Sequence, residues 1–484
     1  MNIKKTRITL LVCFLLFFST LLQAQERPNI LWINCDDLGI ELGCYGNKDV
    51  KTPNIDQLAE QGVLYENCYA TAPVCSPSRS SLITGMYPSA INCLNHRTMD
   101  KVPLPEGIKP ITEYFKEAGY FCTNGKATDM TKWGKTDFNF ETGNLFDGTD
   151  WNQRADGQPF FAQVQIFEPH REFYADKENP ISSESVDLPD CYLDHPLIRA
   201  DWALYLETVQ HCDRRVGHFL TRLENEGLTD NTIIVLFGDN GRPHLRDKQF
   251  LYEGGLRVPL IIRYPKHFEA GKICTQLVSL VDVPVTSLAF ANIPVSEHLQ
   301  GKVFIGDNAE KREYVLGFRQ RMGDAVDNSR SIMDGRYKLI WNKMPEVPWM
   351  QLSGYKKLEY PAYSIYKLFY QQGKLFYPYS LFMADSKPEI ELYDIKMDPM
   401  EFENLADYPK YESIKKTLFS TLKSRLSEIE KGETPEHWEV TKEAKESSAK
   451  YYESSMRRRG LSSSSSYEDI IEYWEKKLSE KIEK

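Results

Sequence analysis

Apolar residues gather in short unbroken runs through the first two thirds of the chain. Asn29–Cys35, Pro159–Phe167 and Thr232–Gly238 each read as a strand buried on both faces, as in a parallel sheet. Val63–Tyr69 and Tyr120–Thr123 read as further strands. Helical rhythm fills the gaps. Thr52–Gly62 has a capped start and a glycine stop, and Ile111–Ala118 ends at Gly119. Ala200–Asn225 places Leu204, Val209, Val216, Leu220 and Leu223 on an apolar stripe before Gly227. Pro77 fits a first helical position, with Ser76 as the expected N-cap and Ser78–Leu82 as the first turn.

The pattern shifts near residue 310. Arg330–Asn342 reads as a β-hairpin through Asp334-Gly335, and Glu391–Ile395 as a strand. A helix is expected from Tyr411 to about Lys431. Residues 345–385 are rich in Tyr, Phe and Pro and read as an ordered insertion that could line a cleft. Residues 440–484 are charged, and Ser462–Ser466 reads as a linker before a terminal amphipathic helix. The expected division is 1–24, 25–310, 311–440 and 441–484.

Polar residues at the strand ends add chemistry to this picture. Asp36-Asp37 follows the first buried run, and Asp239-Asn240 follows Thr232–Gly238. Carboxylates there are costly unless a cation or donors pair them. Carboxyl strand ends are also where open α/β sheets bind ligands. Four side-chain oxygens with no histidine suit a hard cation, and calcium over magnesium. Glu168-Pro169-His170-Arg171 follows the run at 159–167. Cys75 is expected just outside a helix N-terminus, which favours an anion, and Arg79 adds a fixed positive charge. His211 and His218 read as packing or surface residues.

The 484-residue chain is 41% hydrophobic with a net charge of −10, so it has ample core and no basic footprint for nucleic acid. An anionic substrate would need positive charge concentrated in its cleft. Lys4, Lys5 and Arg7 precede the apolar stretch Ile8–Leu22, with a cleavage site after Ala24. This reads as a secretory signal and predicts a secreted or periplasmic protein without a membrane span. Cys13 lies inside that stretch. The other nine cysteines show no zinc spacing, and most are expected as buried small apolar residues.

Val74-Cys75-Ser76-Pro77-Ser78-Arg79, followed by Ser80–Gly85, resembles the signature of type I sulfatases. Asp36-Asp37, TPNIDQLAEQGVLYENCYA (52–70), Asp239-Asn240 and YEGGLRVPLIIRYP (252–265) follow the family's order over most of residues 27–405. Tyr314–Asp324 resembles a segment of bacterial polysaccharide sulfatases and of the sulfamidase-like branch. The resemblance implies an alkaline-phosphatase-like α/β fold. A mixed, mostly parallel sheet lies between helices, with a smaller C-terminal antiparallel sheet plus helix completing the cleft. It implies oxidation of Cys75 to formylglycine, the nucleophile, by a formylglycine-generating or anaerobic sulfatase-maturating enzyme. It also implies one Ca2+ on Asp36, Asp37, Asp239, Asn240 and residue 75. Arg79, Lys126 and Lys248 would hold the sulfate, and His170 would protonate the leaving oxygen. His96, His244, Arg319 and Arg321 are candidate substrate contacts.

The chain departs from the family at one point. Many members carry Trp-His after the lysine that follows Gly125, whereas this chain has Ala127-Thr128. Gly134-Lys135-Thr136-Asp137 offers a second lysine nearby. The expected activity is hydrolysis of sulfate esters of a sulfated polysaccharide or its oligosaccharides, ulvan-like or glycosaminoglycan, including N-sulfated glucosamine. The competing readings are a phosphomonoesterase or phosphonate hydrolase of the same fold, and an inactive glycan-binding homologue.

Overall fold

The computed structural model describes residues 27–265, 267–306, 308–430 and 440–483. The expected signal segment, with Cys13, lies outside them. The strands of the first sheet are β1 (Asn29–Cys35), β2 (Val63–Tyr69), β3 (Phe121–Lys126), β4 (Asp129–Trp133), β5 (Phe160–Ile166), β6 (Thr232–Gly238), β7 (Arg257–Arg263) and β8 (Lys272–Ser279). Their order across the sheet is β4-β3-β5-β1-β6-β7-β2-β8. β3, β5, β1 and β6 run parallel, with Ile30 opposite Phe161 and Ile233. β7 is antiparallel to β6 and β2, and β4 turns back along β3.

The unbroken apolar runs arise because both faces of this sheet are covered. Along β1, Leu31, Ile33 and Cys35 face a core shared with Leu204, Val209 and Val216 of the helix Pro196–Asn225. Ile30 and Trp32 face the other core, where Trp32 meets Phe161 and Phe237 edge-on at 5.0 and 5.5 Å. The long helix begins four residues before its expected start, because Pro196 suits a first turn and His195 accepts the Leu197 N–H.

A second, antiparallel sheet holds β9 (Val315–Arg319), β10 (Ser329–Met333), β11 (Tyr337–Asn342) and β12 (Ile390–Asp394) in the order β12-β11-β10-β9. The β10–β11 turn passes through Gly335 at φ 94°, a conformation that favours glycine. Leu418, Leu422 and Leu426 of the helix Glu412–Ile429 pack in its core. Lys338 on β11 joins the two parts of the fold, with Nζ 2.7 Å from Glu253 and 2.9 Å from Glu401.

Residues 345–385 include the helices Gly354–Glu359 and Pro361–Gln371. The serine run is a hydrogen-bonded turn rather than a loose linker. Ser462 donates its N–H to Ser465 Oγ, and Ser466 Oγ accepts the Asp469 N–H. It joins the helices Lys442–Arg458 and Tyr467–Glu483, and the second buries Ile470, Trp474 and Leu478 in the main core. Among the described residues the nine cysteines are free thiols, and no helix is long and apolar enough to cross a membrane.

Candidate active site

The parallel strands deliver their carboxyl ends to one place. Asp36 N–H continues the ladder to Ile166 O at 3.0 Å, and Asp239 N–H reaches Cys35 O at 3.2 Å. The Asp36-Asp37 and Asp239-Asn240 pairs therefore leave neighbouring strands side by side. Asp37 has φ 62°, rare for a residue with a Cβ, and its N–H donates to Asp239 Oδ1 at 3.0 Å. β2 leads through a loop into the helix Cys75–Thr84, which starts at Cys75 itself with Val74 at the N-cap position. Ser76, expected as the cap, is therefore the second residue of the helix, and its hydroxyl bonds outside it. It meets His96 Nδ1 at 3.0 Å and accepts the Arg97 N–H at 2.9 Å.

Cys75 Sγ lies 3.4 Å from Asp36 Oδ1 and 3.8 Å from Asp37 Oδ1. Ligand atoms of Asp36, Asp37, Cys75 and Asp239 all fall within 4.8 Å of one another. Three cations face the three carboxylates. Arg79 Nε donates to Asp239 Oδ2 at 2.7 Å, and its Nη2 lies 3.3 Å from Asp36 Oδ1. Gln165 fixes the guanidinium from behind, accepting from Nη1 at 2.7 Å. Lys248 Nζ bonds both oxygens of Asp37 and lies 3.5 Å from Cys75 Sγ. Lys135 Nζ bonds Asp36 at 2.7 and 3.1 Å. His170 Nε2 is 3.7 Å from Asp37 Oδ2.

Burial and neighbouring charge set the protonation states. Burial alone would raise Asp36, but Lys135 and Arg79 hold it well below the usual carboxylate range. Burial pushes Asp239 up to about 6 against the pull of Arg79, with Asp36 adding to the rise. Burial also raises the Cys75 thiol, despite Lys135 and Lys248. Burial lowers His170 below its ordinary value, although Asp37 pulls the other way.

The structure brings Asp36, Asp37, Cys75, Arg79, His170, Lys248, Asp239 and Asn240 together. It does not bring Lys126, which is exposed at the end of β3. Lys135 takes that place because the β3–β4 hairpin folds back. Gly134 packs on Asn124, donating to Asn124 O at 3.0 Å and accepting from Asn124 Nδ2 at 2.9 Å. A Cβ on Gly134 would come within 2.7 Å of Gly125 O, so the close approach requires glycine.

Two of the expected substrate contacts are buried among other side chains of the fold. His244 is buried among Phe173, Tyr192, Trp202 and Tyr205, with Nδ1 3.6 Å from Asp201. Arg319 is buried on Asp327 at 3.1 Å and over the Phe250 ring at 4.4 Å. His96 and Arg321 do line a cleft of about 490 Å³ that also borders His170 and Lys248, whose Nζ is 3.5 Å from Cys75 Sγ. A larger cavity of about 720 Å³ lies by Glu41, Arg246, Glu253 and Glu401 and contains none of the residues gathered around Cys75. Sequence reasoning missed Arg97, Tyr355 and Tyr451, which border the smaller cleft. Only the aromatic richness of residues 345–385 hinted at Tyr355.

The family model described as Sulfatase matches residues 28–293, more than half of the chain. The ulvan-active sulfatase of Formosa agariphila is 32% identical over 452 residues, covering 82% of this chain and 74% of that protein. The chain belongs to the sulfatase family. It is a sulfuric ester hydrolase. A second model, described as N-sulphoglucosamine sulphohydrolase, C-terminal, matches residues 241–352 of this sulfatase. Human N-sulphoglucosamine sulphohydrolase is 26% identical over 83% of this chain and 90% of its own. A solved structure of a putative sulfatase from Bacteroides thetaiotaomicron superposes with a TM-score of 0.62 at 21% identity, over 84% of this chain and 93% of that one. The phosphonate monoester hydrolase of Agrobacterium radiobacter superposes with a TM-score of 0.60 at 19% identity, over 83% and 96% of the two chains. These structures share the expected alkaline-phosphatase-like architecture.

The sulfatase's donor set fits a hard divalent cation. Asn240 spends its amide hydrogens on Asp37 Oδ1 at 2.8 Å and Gly241 O at 2.9 Å. Its Oδ1 is buried with no hydrogen-bond partner among the described residues, beside three carboxylates. A buried acceptor left unpaired is costly, and a cation relieves it.

Proposed function

We propose that this sulfatase is exported and removes sulfate esters from a sulfated polysaccharide or its oligosaccharides. It would use formylglycine at residue 75 and one calcium ion. The observation that carries this reading is the position of Cys75. It starts a ten-residue helix and lies between an oxygen-donor cluster and the ammonium of Lys248. The relatives active on ulvan and N-sulphoglucosamine support a sulfated glycan as substrate. The cleft supports it too, since Arg97, Lys248 and Arg321 face Asp324 as its only carboxylate among the described lining residues. Positive charge is thus concentrated locally in an acidic protein.

Asp36, Asp37, Asp239 and Asn240, with residue 75, would hold the calcium. When bound, calcium polarises an ester oxygen and orients the nucleophile. Formylglycine at residue 75, as its hydrate, would supply the hydroxyl nucleophile and a second hydroxyl for release of sulfate.

The chain's own residues do the rest. The helix N-terminus at residue 75 and the charges of Arg79, Lys135 and Lys248 offset charge on the sulfuryl oxygens. Gln165 keeps Arg79 in place. His170, at the mouth of the site, rests neutral in the free protein, and the negative charge of a bound sulfate would raise it so that it protonates and gives that proton to the leaving oxygen. Lys135 takes the sulfate role first expected of Lys126. With Ala127-Thr128 in place of Trp-His, the Ser76-bound His96 is the imidazole nearest the cysteine motif in the hydrogen-bond network.

The test is coexpression with a maturating enzyme, peptide-mass measurement at residue 75, and sulfate release from defined sulfated oligosaccharides beside matched phosphate esters. Aldehyde at residue 75 with sulfate release supports the proposal. A strong preference for phosphate, or sugar binding with no release by matured protein, overturns it.

A further inference from the structure

The cleft beside Lys248 and His170 has a wall that neither family model reaches. Those models end at residues 293 and 352. Ala444, Ser447, Ser448 and Tyr451 line the cleft together with His170 and Lys248. They recur at i, i+3, i+4 and i+7 on the helix Lys442–Arg458, so one face of that helix forms the wall. Two small turns leave width beside the reacting centre, and a tyrosine closes the row.

The wall is anchored. Thr441 caps the helix at the Ala444 N–H, 3.2 Å away, and Ala444 and Met456 are buried. Arg459 bonds Glu359 and Leu358 O, at the end of the helix that carries Tyr355. From the last helix, Lys477 and Lys481 each lie 3.2 Å from Glu172, two residues past His170. The tail therefore grips both the Tyr355 helix and the His170 loop.

Two tyrosines border the space so enclosed. The Tyr355 ring is 6.1 Å from the His170 ring and 5.8 Å from Lys248 Nζ. Its hydroxyl is buried without a hydrogen-bond partner among the described residues. An unpaired buried hydroxyl costs free energy that a ligand hydroxyl would recover. Tyr451 is 61% exposed, and presents an apolar ring face with a polar tip.

We infer that the helix Lys442–Arg458 is the sugar-recognition wall of this enzyme. Tyr355 receives a hydroxyl of the sulfated ring beside the leaving oxygen, and Tyr451 stacks on the adjoining sugar. Anionic groups of that oligosaccharide lie toward Arg97 and Arg321. The inference rests on the glycan sulfatase reading and deepens it, making the preferred substrate a sulfated oligosaccharide of at least two sugars.

The experiment uses matured, calcium-loaded full-length enzyme and a ladder of mono-, di- and tetrasaccharides from depolymerised ulvan and heparin. Sulfate release by the wild type from any member tests the function reading separately. The readout is the ratio of kcat/KM for the longest to the shortest member turned over. Tyr451→Ala lowers that ratio by about tenfold, the scale of a lost aromatic anchor, and Tyr451→Phe keeps it. If one length alone is turned over, the monosaccharide overturns the inference, and for a longer member the KM on it decides in the same way. An unchanged ratio, an equal loss at both lengths, or an equal loss in Tyr451→Phe overturns the inference.

Discussion

Lys248 Nζ lies 2.6 Å from each carboxylate oxygen of Asp37. The pair is almost wholly shielded from solvent, and each partner sets the other's charge. Asp37 holds the ammonium well above its ordinary range despite burial, and Lys248 holds Asp37 low against the same burial. Lys248→Ala is expected to lower kcat/KM by about 10²-fold or more, the cost of losing a preorganised charge at a developing anion. Steady-state kinetics on calcium-loaded protein, beside a melting curve that shows the fold intact, check this.

Lys135 and Lys126 make a paired prediction. Lys135→Ala removes one of the two cations beside Asp36 and should cost about 10²-fold in kcat/KM. Lys126→Ala alters an exposed side chain and should stay within about twofold, as substitutions away from a site usually do. Equal losses in the two variants would return the sulfate role to Lys126.

Removal of the ion should be legible in stability as well as activity. At free calcium of about 100 times Kd, binding adds about 2.7 kcal/mol to the folded state. Chelation should therefore lower the Tm, and calcium should restore it. Asn240→Leu removes the unpaired buried oxygen and should shrink the calcium-dependent rise in Tm. Magnesium at equal concentration should restore less. Differential scanning fluorimetry across a calcium titration measures all three.

His244 gives a pH dependence with a definite sign. Burial, with Arg171, Arg242 and Lys356 nearby, holds its imidazole neutral and well below the usual value, while Asp201 lies 3.6 Å away. The unfolded chain takes up that proton near its ordinary value of about 6.5. Below that pH the unfolded state holds the extra proton, so stability falls as pH drops toward the folded value. The slope is up to about 1.4 kcal/mol per pH unit from this one group. His244→Phe should flatten the acid limb by one proton's share and leave KM unchanged. Urea unfolding between pH 5 and 8 tests the first outcome, and kinetics test the second.

Lys338 ties the two sheets, and its loss should be costly. Glu401 is pushed up to about 6 by burial against the pull of Lys338, with Glu253 adding to the rise. Lys338→Met leaves two carboxylates facing each other in the interior and should destabilise by about 3–5 kcal/mol. Adding Glu401→Gln should recover part of that loss. Chemical denaturation of the single and double variants measures both.

The acidic cluster was legible because its carboxylates adjoin buried strands. Asp36-Asp37 and Asp239-Asn240 directly follow apolar runs, so locating β1 and β6 located them. Lys135 was harder to assign. It enters through the β3–β4 hairpin, and nothing in the spacing of Gly125-Lys126 and Gly134-Lys135 says which lysine turns inward. His244 and Arg319 look functional in a linear reading because polar residues near a site invite that role. Their burial against aromatic rings and Asp327 is a tertiary fact. The tail misled for a similar reason. Serine-rich composition suggests a linker, yet Trp474 and Leu478 further on anchor the segment.

Cys75 is buried in the finished protein, behind Lys248 at the base of the cleft, where a second protein's active site has no room to close on it. Any catalyst that modifies it must therefore grasp Val74–Arg79 while that stretch is still open. On the proposed chemistry, oxidation precedes closure of the sheet around the cysteine. Purified chain that folded with the thiol intact would stay inert when the catalyst is added later, and would become a substrate for it only after being unfolded.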